Sequence, residues 1–243
     1  MKVIITKGYE EASREAYEIV KKVVLEKEDA VLGLATGSTP LGLYGNMVEG
    51  CQKGEVSYKK VRSMNLDEYI GLGAGDEQSY VEFMKKNLFD HIDIDQKNTD
   101  IPCGKAEDMA AECARYDQKH QEIGVDLQVL GIGSNGHIGF NEPGTPFGLG
   151  THPVDLAEST IRDNARFYQS IDEVPKRAVS MGIKTVMHAK KILLIATGAN
   201  KAQAIKAALE GPVDEKMPAS VLQLHPDCTF ILDEAAASLL GKA

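Results

Sequence analysis

Nothing in the 243-residue sequence approaches the roughly 20 consecutive apolar residues that a membrane-spanning helix needs, so no membrane association is expected. The first residues, MKVIITKGYEE, turn charged at once and show no apolar core of a signal peptide, which predicts a cytoplasmic chain. A basic excess is also missing. Lys and Arg number 27 against 36 Asp and Glu, for a formal net charge of −9. A nonspecific nucleic-acid binder needs a basic footprint, so no nucleic-acid partner is expected. One phosphate on a small molecule needs only a few local cations and helix ends, and remains compatible with this balance. The four cysteines, Cys51, Cys103, Cys113 and Cys228, form no CxxC pair, and no His/Cys cluster has zinc spacing. Reduced thiols and no metal are the expectation. The sequence also lacks a Walker A motif, a GxGxxG dinucleotide fingerprint and a GxSxG nucleophile elbow, which argues against a nucleotide fold signature and a serine hydrolase.

What is present is 43% hydrophobic residues, enough for a well-filled core, with no linker-like or low-complexity stretch. Residues 1–243 therefore read as one domain. Apolar runs alternate with helical periodicity. Strands are predicted at Val3–Ile5, Ala30–Leu34, Val61–Asn65, Leu127–Ile132, Ile192–Ala196 and Thr229–Leu232. Helices are predicted at Glu11–Lys27, Leu41–Lys53, Tyr80–Leu88, Asp108–Glu122, Lys201–Leu209 and Glu234–Leu240. Repeated βα units imply an α/β fold, a Rossmann-like, mostly parallel sheet with helices on both faces. In such sheets ligands bind outside the carboxyl ends of the strands, so the loops after strands carry the information. They are ATGSTP (35–40), NLDEYIGL (65–72), GIGSNGHIGFNEPG (131–144) and ATGANK (196–201).

Two of these loops share Ala-Thr-Gly between an apolar strand and a helix start. In the first, Thr36, Gly37, Ser38 and Thr39 offer backbone N–H groups and hydroxyls at a helix N-terminus, an anion site by geometry and dipole. Thr39 is the expected N-cap and Pro40 suits the first turn. An ordinary capped βα turn would read the same way. In the second, Lys201 falls in the first helical turn, where a cation is mildly disfavoured unless an anion lies nearby. A phosphorylated sugar or similar small molecule fits better than a nucleotide.

The other two loops carry titratable groups. Asp67 and Glu68 follow a strand directly; either caps a turn, or one is a general base in the cleft. His137 follows Gly136, leaving room for the imidazole, and titrates near neutrality. Glu142 lies across a turn from it and can orient the ring. Two ligands alone make a metal site improbable there.

With LATGSTP, NLDEYIGL, GIGSNGHIGFNEPGTPF, RDNARFY, VPKRAVSMGI and LQLHPD in that order, the chain resembles the glucosamine-6-phosphate deaminases along essentially its whole length. The resemblance implies a modified Rossmann fold, no cofactor, and conversion of glucosamine 6-phosphate and water to fructose 6-phosphate and ammonia. It implies Asp67 as the proton-transfer base, His137 as the ring-opening group and Glu142 as its support. It implies phosphate binding by the Thr36–Thr39 loop, Arg166 and Lys201. Within 151–175, the charged STIRDNARFY segment is expected to act as a lid. Many members have Asp-Gly-His where this chain has Asn135-Gly136-His137, so Asn135 brings a hydrogen bond without a charge. Activated members carry an Arg-x-Lys cluster where this chain has His152-Pro153-Val154, and they extend further at the C-terminus. A monomer or small homo-oligomer without that activation is therefore expected. The nearest alternatives are a galactosamine-6-phosphate enzyme, a 6-phosphogluconolactonase and, from another class, a sugar-phosphate-sensing binding module.

Overall fold

The computed structural model describes residues 1–165 and 168–241. Its first half runs β1 (Lys2–Thr6), α1 (Tyr9–Glu26), β2 (Val31–Leu34), α2 (Leu41–Gln52), β3 (Arg62–Asn65), β4 (Asp67–Tyr69), α3 (Tyr80–Asn87) and β5 (Thr99–Asp100). The chain continues through α4 (Met109–Ile123), β6 (Leu127–Leu130), β7 (His152–Asp155), α5 (Glu158–Asn164), β8 (Arg177–Ser180) and α6 (Ile183–Met187). It ends with β9 (Ile192–Ala196), α7 (Ala202–Glu210) and β10 (Cys228–Asp233).

Seven strands form one sheet in the order β1-β10-β9-β6-β2-β3-β5, with every pairing parallel. This is the expected α/β architecture. β2, β6 and β9 are buried at every position, which is why their sequences are largely apolar, with only the buried Gln128 of β6 polar. Successive side chains leave a strand on opposite faces. Ile192, Leu194, Phe230 and Leu232 accordingly pack with α4, α6 and α7, while Leu193, Ile195 and Ile231 pack with α1, α2 and α3. From β2 the chain winds outward to β3 and β5, then returns to β6 and winds the other way to β9 and β10. The winding reverses between β2 and β6, and a ligand crevice forms at such a switch point.

A second, antiparallel sheet, β4-β8-β7, was not visible in the sequence. Asp67 pairs with Ser180, which in turn pairs with His152, so NLDEYIGL is not a plain loop: its acids lie on a strand. Two further expectations are corrected. Thr39 makes no N-cap; Pro40 occupies that place with no side-chain cap bond, and the Thr39 side chain instead faces Gly131 across the switch point. Residues 234–239 are turns rather than a helix. There Ser238 and Leu240 donate to carbonyls three residues back, and the Ser238 hydroxyl takes the Ala235 carbonyl as well, at 2.7 Å. Serine hydroxyls compete with helical backbone pairing in this way.

Candidate active site

Over the switch point lies a cleft of about 1250 Å³. All four loops singled out in the sequence reach it. Thr36, Gly37, Ser38 and Thr39 line it after β2, Asp67 from β4, His137 after β6, and Lys201 after β9.

Asp67 is 6% exposed, and among the described residues no donor reaches its carboxylate. Burial, with a smaller contribution from the neighbouring Glu68, pushes its carboxyl up to about 8. Glu68 has the opposite surroundings. Its carboxylate accepts from the backbone N–H groups of Tyr69 at 2.8 Å, Tyr80 at 3.0 Å and Val81 at 3.1 Å. It thereby holds the start of α3, whose N-cap Ser79 accepts from Glu82 N–H. Burial raises the Glu68 carboxyl, and these amides offset only part of the rise. Of the two adjacent acids, Glu68 is committed to the backbone and Asp67 is available to a ligand.

His137 Nδ1 lies 3.5 Å from Glu142 Oε2, and this nitrogen is buried without a well-formed hydrogen bond. The pair is a long polar contact that a small shift of the carboxylate would close; catalytic hydrogen bonds are often this long before substrate binds. Nε2 is then the ring nitrogen left for the cleft. Asn135 and Glu142 do not line the cleft but stand behind His137. Asn135 Nδ2 donates to Glu142 Oε2 at 2.8 Å, and Asn135 Oδ1 accepts from the His137 N–H at 3.2 Å. Thr160 Oγ1 donates to the other oxygen, Glu142 Oε1, at 2.5 Å. Burial alone would raise the Glu142 carboxyl, but His137, Thr160 and Asn135 outweigh it and hold it down to about 2. Room for the imidazole does not come from Gly136, which faces Met217. It comes from Gly133, where a Cβ would stand 2.3 Å from His137 Cε1 and Nδ1.

The two Ala-Thr-Gly loops both line the cleft. Gly37, at φ 87°, turns the first loop in a conformation that side-chain-bearing residues rarely adopt. The Tyr9 hydroxyl clamps this loop, donating to the Ser38 carbonyl at 3.1 Å and accepting from Gly42 N–H at 2.7 Å. In the second loop the Gly198 N–H donates to both carboxylate oxygens of Asp233 at 3.0 Å. Lys201 stands at the N-cap position of α7 and lines the cleft beside Thr197 and Asn200. Arg166 lies outside the described residues.

The sequence reading missed Thr160 on α5 and Tyr9 on α1, both of which line the cleft. It also missed an aromatic wall in which the Tyr69 and Tyr80 rings lie 4.8 Å apart and Tyr80 stacks on Phe140 at 6.2 Å. Tyr69 lies two residues after Asp67 within NLDEYIGL, the one local signal for it. Nothing local distinguishes Thr160 or Tyr9 from surface residues.

The model of the glucosamine-6-phosphate isomerases/6-phosphogluconolactonase family matches residues 7–230. A glucosamine-6-phosphate deaminase of Thermoanaerobacter pseudethanolicus is 53% identical over 241 residues, covering 99% of this chain and 95% of that protein. One from Clostridium novyi is 52% identical over 241 residues, covering 99% of this chain and 100% of the other. Among solved structures, a monomeric glucosamine-6-phosphate deaminase superposes with a TM-score of 0.96 at 48% identity, covering 98% of this chain and 100% of that one. A 6-phosphogluconolactonase from Trypanosoma brucei superposes with a TM-score of 0.78 at 18% identity, a likeness of fold alone.

Proposed function

The chain belongs to the family of glucosamine-6-phosphate isomerases and 6-phosphogluconolactonases, and from that premise we propose that it is a glucosamine-6-phosphate deaminase of amino-sugar catabolism. It converts glucosamine 6-phosphate and water to fructose 6-phosphate and ammonia. The observation that carries this reading is that Asp67, buried and reached by no donor among the described residues, and His137, backed by Glu142, share one cleft with the Thr36–Thr39 loop and Lys201.

The Thr36–Thr39 loop and Lys201 hold the phosphate, and Arg166 adds to them. Binding energy at this remote group positions the reacting carbons. His137, through Nε2, delivers a proton to the ring oxygen as the ring opens to the C1 aldehyde. Glu142 stabilises the imidazolium form on the Nδ1 side, and Asn135 holds Glu142 and the His137 backbone in register. Asp67 then removes the proton on C2, acidified by the aldehyde, and an enol-amine forms. Protonation at C1 gives the imine at C2; water adds there, and ammonia leaves. The substrate brings its own ammonium at C2, and an opposite charge nearby favours the ionised form of Asp67 that a base requires. The relatives' solved structure is of a monomeric enzyme, and we extend a monomeric, cytoplasmic form to this chain.

Ammonia release and fructose 6-phosphate formation from glucosamine 6-phosphate, run beside galactosamine 6-phosphate and 6-phosphogluconolactone, test the proposal. Turnover of the lactone alone, with no ammonia from either amino sugar, would refute it. Faster turnover of the galacto sugar would keep the chemistry and change the epimer.

A further inference from the structure

We propose that Thr160 is a positioning residue for this reaction, acting through Glu142 to set the His137 imidazole. The inference rests on the deaminase reading above and assigns a role to a side chain outside the acid–base group itself.

The carboxylate of Glu142 is divided between two sets of partners. Oε2 receives Asn135 Nδ2 at 2.8 Å and faces His137 Nδ1 at 3.5 Å. Oε1 receives Thr160 Oγ1 at 2.5 Å and, more weakly, Ala157 N–H at 3.4 Å. A carboxylate bonded at one oxygen only can rotate about its terminal torsion, which has a broad, roughly two-fold profile. Bonded at both, it is fixed in plane. The His137 contact is the longer of the two Oε2 contacts, so rotation of the carboxylate changes it most easily. Asn135 braces Glu142 from the same loop, whereas Thr160 braces it from α5, in a different part of the chain. Thr160 is 2% exposed, and a buried hydroxyl that did not donate here would carry an unpaired polar group. The geometry therefore makes the correct seating of α5 a condition for a correctly aimed imidazole. The Thr160 side chain thus ties segment 158–164 to the proton-transfer group across the cleft wall.

Valine at this position keeps the shape and removes the donor; serine keeps the donor. The test is a double-mutant cycle of Thr160→Val and Glu142→Gln, with Thr160→Ser as the control. Thr160→Val should lower kcat about 10-fold, the scale of one charge-assisted hydrogen bond at roughly 1.4 kcal/mol per decade. KM should change less than about 3-fold, and the kcat–pH profile should shift on the limb assigned to His137. Thr160→Ser should retain at least about half of kcat. In the Glu142→Gln background, Thr160→Val should cost less than about 2-fold further, since coupled residues are not additive. Losses that multiply in full, or a Thr160→Ser enzyme as slow as Thr160→Val, would overturn the role through Glu142. If Thr160→Val does not fold, the Thr160→Ser rate and its pH profile decide, and a shifted profile despite the retained hydroxyl would overturn it as well. The deaminase reading fails separately: the wild-type protein would then release no ammonia from either amino sugar, whereas a Glu142→Gln enzyme as fast as wild type would overturn the role through Glu142.

Discussion

Replacing Asp67 by Asn should make the protein more stable and nearly inactive at the same time. The carboxyl stands at about 8 in the folded chain against an ordinary 3.8, with burial as the main cause. A group raised on folding contributes stability below its unfolded value and loses it as pH rises toward the folded value. The wild-type protein thus pays an increasing desolvation penalty between about pH 4 and pH 8. The difference of about 4 units corresponds to a ceiling of about 6 kcal/mol at 1.36 kcal/mol per unit. The cleft is open to water, so about half of that ceiling is the working figure.

Asn is neutral and nearly isosteric and escapes the penalty. At 2–4 °C per kcal/mol for a chain of this size, the variant should melt roughly 6–12 °C above wild type near pH 9. Near pH 5 the gap should close to within about 3 °C. Over the same range kcat should fall by about 10²–10⁴, the usual worth of a general base, while a phosphorylated competitive inhibitor binds almost as before. Thermal melts across pH, paired with ammonia-release kinetics, read both effects. Equal melting temperatures at every pH would show that Asp67 carries no buried charge. A kcat near wild type would move the base elsewhere, and Glu68, bonded to three backbone amides, is poorly placed to inherit it.

Lys201→Ala should lower kcat/KM about 10- to 150-fold through KM, from loss of a charge-assisted contact, and leave turnover of unphosphorylated glucosamine untouched; equal losses on both substrates would remove Lys201 from the phosphate site. Gly133→Ala should displace the imidazole, because the new Cβ would meet His137 at 2.3 Å, and should cut kcat with little change in KM; an unchanged kcat would mean that the ring's seat does not matter to turnover. With His152 and Val154 in place of a basic cluster, rate against substrate concentration should be hyperbolic and unaffected by N-acetylglucosamine 6-phosphate; a sigmoidal curve abolished by that compound would place an activator site on another surface.

The large sheet was legible because its central strands are buried on both faces, and a short, largely apolar run between turn signals has few other uses. The loops were legible because Gly-rich turns after such strands are where a parallel sheet places ligands. The small sheet was not. Its strands are three or four residues long, and β4 pairs with β8 from a distant part of the chain. No local pattern encodes that pairing, so DEY read as part of a loop, and RAVS counted only as part of the VPKRAVSMGI motif with no strand assigned to it. The Thr39 cap failed because the helix starts one residue later than local propensity suggested, at Leu41, which puts Pro40 at the N-cap and leaves Thr39 beside Gly131.

The Asp67–Glu68 pair shows most directly what the tertiary fold adds. From sequence the two acids were near equivalents, and only resemblance to a family separated them. On β4 they leave the strand in opposite directions. One side meets the start of α3, whose free N–H groups satisfy Glu68; the other meets the cleft, where among the described residues Asp67 finds no donor. The satisfied acid retains charge more readily, and that charge adds to burial in raising its neighbour. A strand that β8 pins residue by residue therefore converts two like side chains into one anchor and one acid left to the cleft, a division that a loop free to turn could not enforce.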